Sequence, residues 1–150
     1  MSFLAKLEMD SKEYNILNVE YEISQNVDQD LRPISAPKSG VIQILLESSS
    51  DNNLVEWAFS HKMMKEGKIT FYRRDAGSQM KTISFKDAFC IYLKEIFTAD
   101  GKNPMVTRIT LAAREMTVGK FNIKHTWAGM SASAGEAGGS GGGEIKSFNA

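Results

Sequence analysis

At 150 residues, 42% hydrophobic and 24% charged, the chain has the size of one globular domain with a single core. Eighteen basic residues balance eighteen acidic ones, so no net field draws in nucleic acid or anionic lipid. The single cysteine, Cys90, excludes an internal disulfide and a cysteine-based zinc site, and suits folding in a reducing compartment.

Residues 1–6 lack a basic leader and a long apolar region, so no secretion signal is expected and export would need another route. No apolar run approaches the roughly 20 residues that cross a bilayer, so no membrane insertion is expected. Residues 2–9 alternate, with Phe3, Ala5, Leu7 and Met9 on one face, which predicts a first strand. A turn at residues 10–13 leads to a second strand over 14–25, with Leu17, Val19, Tyr21 and Ile23 on one face and Asn18, Glu20, Glu22 and Ser24 on the other. That pattern is a half-buried antiparallel strand.

Residues 26–39 break the alternation with Asp28, Asp30, Pro33 and Pro37. So long a connection in a compact domain is usually functional or disordered. Leu31 and Ile34 inside it favour docking over solvation. Residues 40–46 are apolar on both faces and predict a central strand. Asp51 is the expected helix cap, and residues 53–64 turn to helical spacing: Leu54, Trp57, Ala58 and His61 on one stripe, with Val55, Phe59 and Met63 beside it. After Gly67 come three strands: 69–72, ended by Arg73, Arg74, Asp75 and Gly77; 80–98, ended by a hairpin turn at Asp100 and Gly101; and 105–116. In the last, Met105, Thr107, Ile109, Leu111 and Ala113 share a face. Residues 121–127 read as a short edge strand. Beyond Trp127 the composition changes to Gly, Ala and Ser, seven of the twelve glycines lying between Gly129 and Gly143. The expected division is therefore a β domain over 1–127 and a flexible tail over 128–150.

No catalytic constellation emerges. The glycine-rich run has no strand before it and no properly placed lysine, Lys146 being the nearest, so it is not a phosphate loop. His61 and His125 are too far apart in sequence to read as a metal site. Glu20 and Glu22 read as a solvated strand face, and Cys90, between Phe89 and Ile91, as a small core hydrophobe. Arg73, Arg74 and Asp75 read as an exposed hairpin end and a candidate subunit contact. Trp57, Phe59, Phe71, Phe85 and Tyr92 are the expected core aromatics. The expectation is thus of a non-enzyme without metal or cofactor.

The order of segments, two strands, a long loop, a strand, a helix carrying Glu56 and Trp57, then three strands, adds to three strings: GKITFYRRD over 67–75, FKDAFC over 85–90, and Asn103, Pro104 and Met105 running on to Ala112, Ala113, Arg114 and Glu115. Together, over roughly residues 1–127, they resemble the tube protein of type VI secretion systems, the haemolysin-coregulated protein (TssD) family in its Bacteroidota-type branch. The resemblance implies a mainly β fold, an antiparallel two-sheet β-barrel with one flanking helix, which forms hexameric rings. Rings of that family stack into a tube assembled in the cytoplasm and driven out by a contractile sheath, with baseplate and spike proteins as partners and effector cargo in the lumen.

The residues agree with assembly on their own account. Both faces of 41–46 and the mixed second face of 106–114 offer more apolar surface than a lone small barrel buries, and neighbouring subunits would cover it. Asp28, Asp30, Leu31, Arg32, Pro33, Ile34 and Lys38 are expected to make the contact between stacked rings. Prolines stiffen that loop, Leu31 and Ile34 anchor it, and charges of both signs fix its register. The resemblance also places an extended loop there against the next ring. The competing reading is a small barrel that binds an apolar ligand, with Phe71, Phe85, Phe89 and Tyr92 lining its cavity.

Overall fold

Strands account for most of residues 4–73 and 79–127, the part of the chain described by the computed structural model. In chain order they are β1 (Leu4–Met9), β2 (Lys12–Tyr21), β3 (Val41–Glu47), β4 (Lys65–Tyr72), β5 (Gln79–Phe97), β6 (Met105–Val118) and β7 (Phe121–Lys124), with helix α1 (Asn53–Phe59) between β3 and β4. The sheet order is β3-β2-β1-β4-β5-β6-β7, and β3 also pairs with β6. That extra pairing closes six antiparallel strands into a barrel. β6 meets β3 from Val106 to Ala112 and then β7 from Glu115 to Val118, so β7 continues its edge past the end of β3.

Local chemistry explains each turn of this path. Asp10 and Ser11 both have positive φ, 55° and 63°, and Met9 pairs with Lys12. A two-residue loop of that kind matches strand twist, and Asp tolerates the left-handed region better than most residues. The turn between β5 and β6 is wider than a two-residue reversal and is closed by Thr98 N–H donating to Pro104 O at 2.7 Å.

In β2 the register shifts between Ile16, which faces Leu46, and Asn18, which faces Leu45. Leu17 is the bulged residue. Tyr14 and Ile16 face inward before the bulge, and Val19 and Tyr21 after it. One inserted residue thus reverses the parity that simple alternation predicts, leaving Leu17 exposed. The strand stops at Tyr21, so Ile23 lies outside the barrel.

The barrel interior is filled. Leu7, Ile42, Ile44, Leu46, Ile69, Ile83, Phe85, Ile109 and Leu111 are almost wholly shielded from water, each such side chain contributing about 1.5–3 kcal/mol of transfer free energy. Thr107, Ile109, Leu111 and Ala113 point inward, as alternation predicts; beyond them Met116 is inward instead of the next odd position. β5 changes parity beside it, from Ile83 and Phe85 to Ala88 and Cys90. At the crossing Asp87 takes φ 54°, and its Oδ2 accepts from Arg114 Nε and Nη2 at 3.0 and 2.6 Å. The buried guanidinium is neutralised where both strands turn over. Gly67 lies nearby for a steric reason: a Cβ there would meet the Phe85 ring at 2.7 Å and Glu8 O at 2.9 Å.

The helix is shorter than its sequence pattern. Ser60 Oγ accepts from the backbone N–H of Lys62 and Met63, both at 3.1 Å, and this local bonding turns the chain away after Phe59. At the other end Asn52 occupies the cap position, while Asp51 Oδ1 accepts from Asn53 N–H at 2.9 Å. Trp57 is buried, and its indole N–H donates to Ala88 O at 3.1 Å and to Met63 O at 3.2 Å. This seats the helix on β5.

Two expected core aromatics are corrected. Phe59 is 86% exposed, because two residues on from Trp57 is about 200° around the helix. Tyr92 is 47% exposed; β4 ends its pairing with β5 at Ala88, and a register shift between Cys90 and Tyr92 follows. Phe71 is partly buried against the core and Phe85 wholly buried.

Antiparallel succession sends the connections to alternate rims. The links β1–β2, β3–α1–β4 and β5–β6 lie at one end, and β2–β3, β4–β5 and β6–β7 at the other.

Candidate assembly surface

The chain between β2 and β3, residues 22–40, forms an arm instead of an irregular loop. Ser24 and Lys38 exchange backbone hydrogen bonds at 3.0 and 2.7 Å, and Ile34 N–H donates to Asn26 O at 2.8 Å. Val27 bridges to Pro33. The tip is folded by Asp28: its Oδ1 accepts from Asp30 N–H at 2.9 Å and Arg32 N–H at 3.0 Å, and its backbone is bonded to Arg32 and Leu31. An aspartate bonding its own backbone two residues on is a self-contained turn. It holds Leu31 at φ 66°, a left-handed conformation that a branched residue rarely adopts unaided. Asp28 and Arg32, expected to meet the next ring, are thus first used within the tip, where Arg32 Nε lies 3.6 Å from Asp28 Oδ2.

The root of the arm is pinned to the barrel. Ser39 Oγ donates to Glu22 O at 2.7 Å, Ala113 N–H donates to Gly40 O at 2.7 Å, and His125 Nε2 bonds Ser39 O. Gly40 has φ +127°, and a Cβ there would lie 2.7 Å from Ala113 O, so glycine is required. His125 is itself placed by its N–H donating to Arg114 O at 2.8 Å. Nearby, Trp127 stacks on Phe89 with ring centroids 5.6 Å apart. No sequence signal connects His125 with Ser39, which are 86 residues apart.

A rigid root and a folded tip carry an apolar surface into solvent. Leu31 is 77% exposed and Ile34 63%. Ile23 and Val27, which the loop reading left out, are about half exposed. Pro33 and Pro37 are exposed as well, and so is Lys38. Four large aliphatic side chains turned to water on one preorganised projection have the composition of a contact surface.

Other candidates offer less. Arg73 is exposed at the arm's end of the barrel; Arg74 and Asp75 lie outside the described residues, as does the tail over 128–150. Cys90 is buried, and that burial pushes its thiol pKa up, the opposite of an activated nucleophile. Glu20 and Glu22 border a shallow hollow with Val41 and Gln43. Among the described residues no group of three or more His, Cys, Asp or Glu could hold a metal ion, and no helix is long and apolar enough to cross a membrane.

A family model described as Hemolysin coregulated protein Hcp (TssD) matches residues 1–128. Hcp1 from Flavobacterium johnsoniae is similar in structure, with a TM-score of 0.77 at 30% identity over 82% of this chain and 100% of that one. Hcp1 from Salmonella typhimurium shares the fold at a TM-score of 0.64 and 13% identity, over 82% of this chain and 92% of its own. The secreted protein Hcp3 from Pseudomonas aeruginosa does so at 0.57 and 12%, over 84% of this chain and 100% of its own. No curated protein matches the chain.

Proposed function

The chain belongs to the Hcp (TssD) family and is a tube subunit of a type VI secretion system, and from that premise we propose how its parts divide the work of assembly. The barrel forms a closed homohexameric ring, and the arm over 22–40 joins one ring to the next. The observation that carries this reading is the arm itself: it is fixed at its root, folded at its tip, and apolar where it meets water. Ring closure needs a heterologous contact that returns on itself, whereas stacking needs a different contact that does not close. Arm and barrel supply two such separate surfaces.

The wider roles follow from the family. The tube is assembled in the cytoplasm on baseplate proteins, pushed out by a contractile sheath with a spike at its tip, and carries effector cargo. The chain leaves the cell through that apparatus. Residues 1–127 act as the ring-forming domain, and the glycine-rich 128–150 are dispensable for folding and ring formation. No catalysis is assigned to it. The filled barrel interior gives no support to the apolar-ligand reading.

Size-exclusion chromatography with light scattering at micromolar protein tests the ring. The expected mass is six times the 16.6 kDa chain or a multiple of that ring. A monomer that carries an apolar ligand would overturn the reading.

A further inference from the structure

The turn between β5 and β6 leaves the barrel at the rim opposite the arm, and residues 97–105 are all exposed. It holds the one Asp–Gly pair of the chain, Asp100 and Gly101; no Asn–Gly pair occurs. We propose that this pair is a self-modifying site, at which Asp100 passes through a succinimide to isoaspartate, the substrate of an isoaspartyl carboxyl methyltransferase.

The reaction needs a backbone N–H that is not already donating, a carboxyl group that is not already held, and no side chain in the way. Gly101 has φ 108°, and a Cβ built on it would meet nothing within 4 Å, so its backbone stands open on the side where any other residue would carry bulk. Thr98 N–H donating to Pro104 O closes the turn at its base. Beyond that bond neither Asp100 nor Gly101 makes a backbone hydrogen bond among the described residues. The Asp100 carboxylate has no ion-pair partner among them. An exposed loop tip of this kind is free to reach the conformation that brings Cγ onto the next nitrogen.

The other described aspartates each fail one requirement. Asp10 is paired with Lys65, and Asp87 with Arg114. Asp28 Oδ1 accepts from Asp30 and Arg32 N–H, and Asp51 accepts from Ser49 Oγ and Asn53 N–H. Asp30 is exposed, but the nitrogen it would need, that of Leu31, donates to Asp28 O at 2.9 Å. Asn103 shares the turn with Asp100, yet Pro104 follows it and offers no N–H. The structure thus singles out one position, which composition alone does not.

The step balances without a co-reactant. Gly101 N attacks Asp100 Cγ and gives up its proton, and a carboxyl oxygen leaves as water, which closes the imide ring. Water then adds to either ring carbonyl. Opening the new N–Cγ bond restores aspartate; opening the original peptide C–N bond gives isoaspartate, with the chain routed through Cγ and the former backbone carbonyl left as a carboxylate. The backbone gains one methylene in a turn that lies outside the barrel, so the core is untouched.

Ageing the folded chain at physiological temperature and pH tests the site. Trypsin cuts after Lys94 and Lys102, so residues 95–102 are released as one peptide. The expected result is a second chromatographic peak of that peptide at unchanged mass, which grows with time and accepts a labelled methyl group from a purified isoaspartyl methyltransferase. Aged and fresh protein should melt at the same Tm. Asp100→Glu should abolish both peak and label, and Gly101→Ala should slow them at least about tenfold, because glycine alone leaves the amide open to attack. Asp100→Asn, which loses ammonia more readily than aspartate loses water, should speed the labelling. The proposal is overturned if the 95–102 peptide stays a single unlabelled species, if label gathers first in the peptides holding Asp10 or Asp30, or if Asp100→Glu labels as wild type does.

Discussion

The barrel and the arm hold similar side chains in opposite ways. In the barrel, Leu7, Ile42, Ile44 and Ile109 meet other side chains of the same subunit, while in the arm Ile23, Val27, Leu31 and Ile34 meet water. Backbone hydrogen bonds hold both regions, as ladders in the barrel and as a few fixed points along the arm; what differs is whether the partner surface belongs to the same chain. Burial within one chain stabilises the fold, and burial reserved for a neighbour stabilises assembly. The two effects separate by mutation.

The largest effect expected on the barrel side is Trp57→Ala. Removing a fully buried indole should lower stability by about 3–5 kcal/mol, read as a fall in Tm, and unchanged melting would mean that the helix does not seat on β5 through this residue. Asp87→Ala comes next. It strands the buried Arg114 guanidinium, and about 2–3 kcal/mol is expected, less than for a fully buried pair because Asp87 stays about a third exposed. A loss under about 0.5 kcal/mol, the scale of a surface change, would show that the crossing of β5 and β6 does not depend on the pair.

A smaller, pH-dependent effect is expected at Asp51. The Ser49 hydroxyl, 2.6 Å from Oδ2, holds its carboxyl below the usual carboxylate range. A lowered folded pKa adds stability that is present above the unfolded value near 3.9, and that is lost as pH falls through the folded value. The Tm gap between wild type and Asp51→Asn should therefore be widest near neutrality and shrink below about pH 4; a gap that widened in acid would contradict the sign. The smallest effect is Phe59→Ser, within about 0.5 kcal/mol of wild type because the ring touches water and not the core.

Much of this division was legible in the sequence, and the failures share one cause. The inward set Thr107 to Ala113 follows from alternation because no irregularity interrupts it. Leu17 and Tyr92 were misplaced because a bulge inserts one residue without any marker in composition, and everything beyond it changes face. Phe59 was assigned by proximity to the helix stripe when its angle places it opposite. Prolines and aspartates revealed that 26–39 is not a plain strand connection. They could not reveal that Asp28 folds the tip or that His125 holds the root, since the first depends on a turn and the second on a contact between distant strands. The sequence shows Gly67 only as the residue before a strand-like run, whereas what requires a glycine there is the Phe85 ring across the sheet.

Leu31→Asp tests the separation of fold from assembly most directly. Wild type and variant are compared by thermal melting, light scattering and negative-stain microscopy under conditions where the wild type forms tubes. The expected result is the same Tm, the same hexamer, and no tubes. Tubes of normal length would remove the arm from the stacking contact, and loss of the hexamer itself would place the arm within the ring.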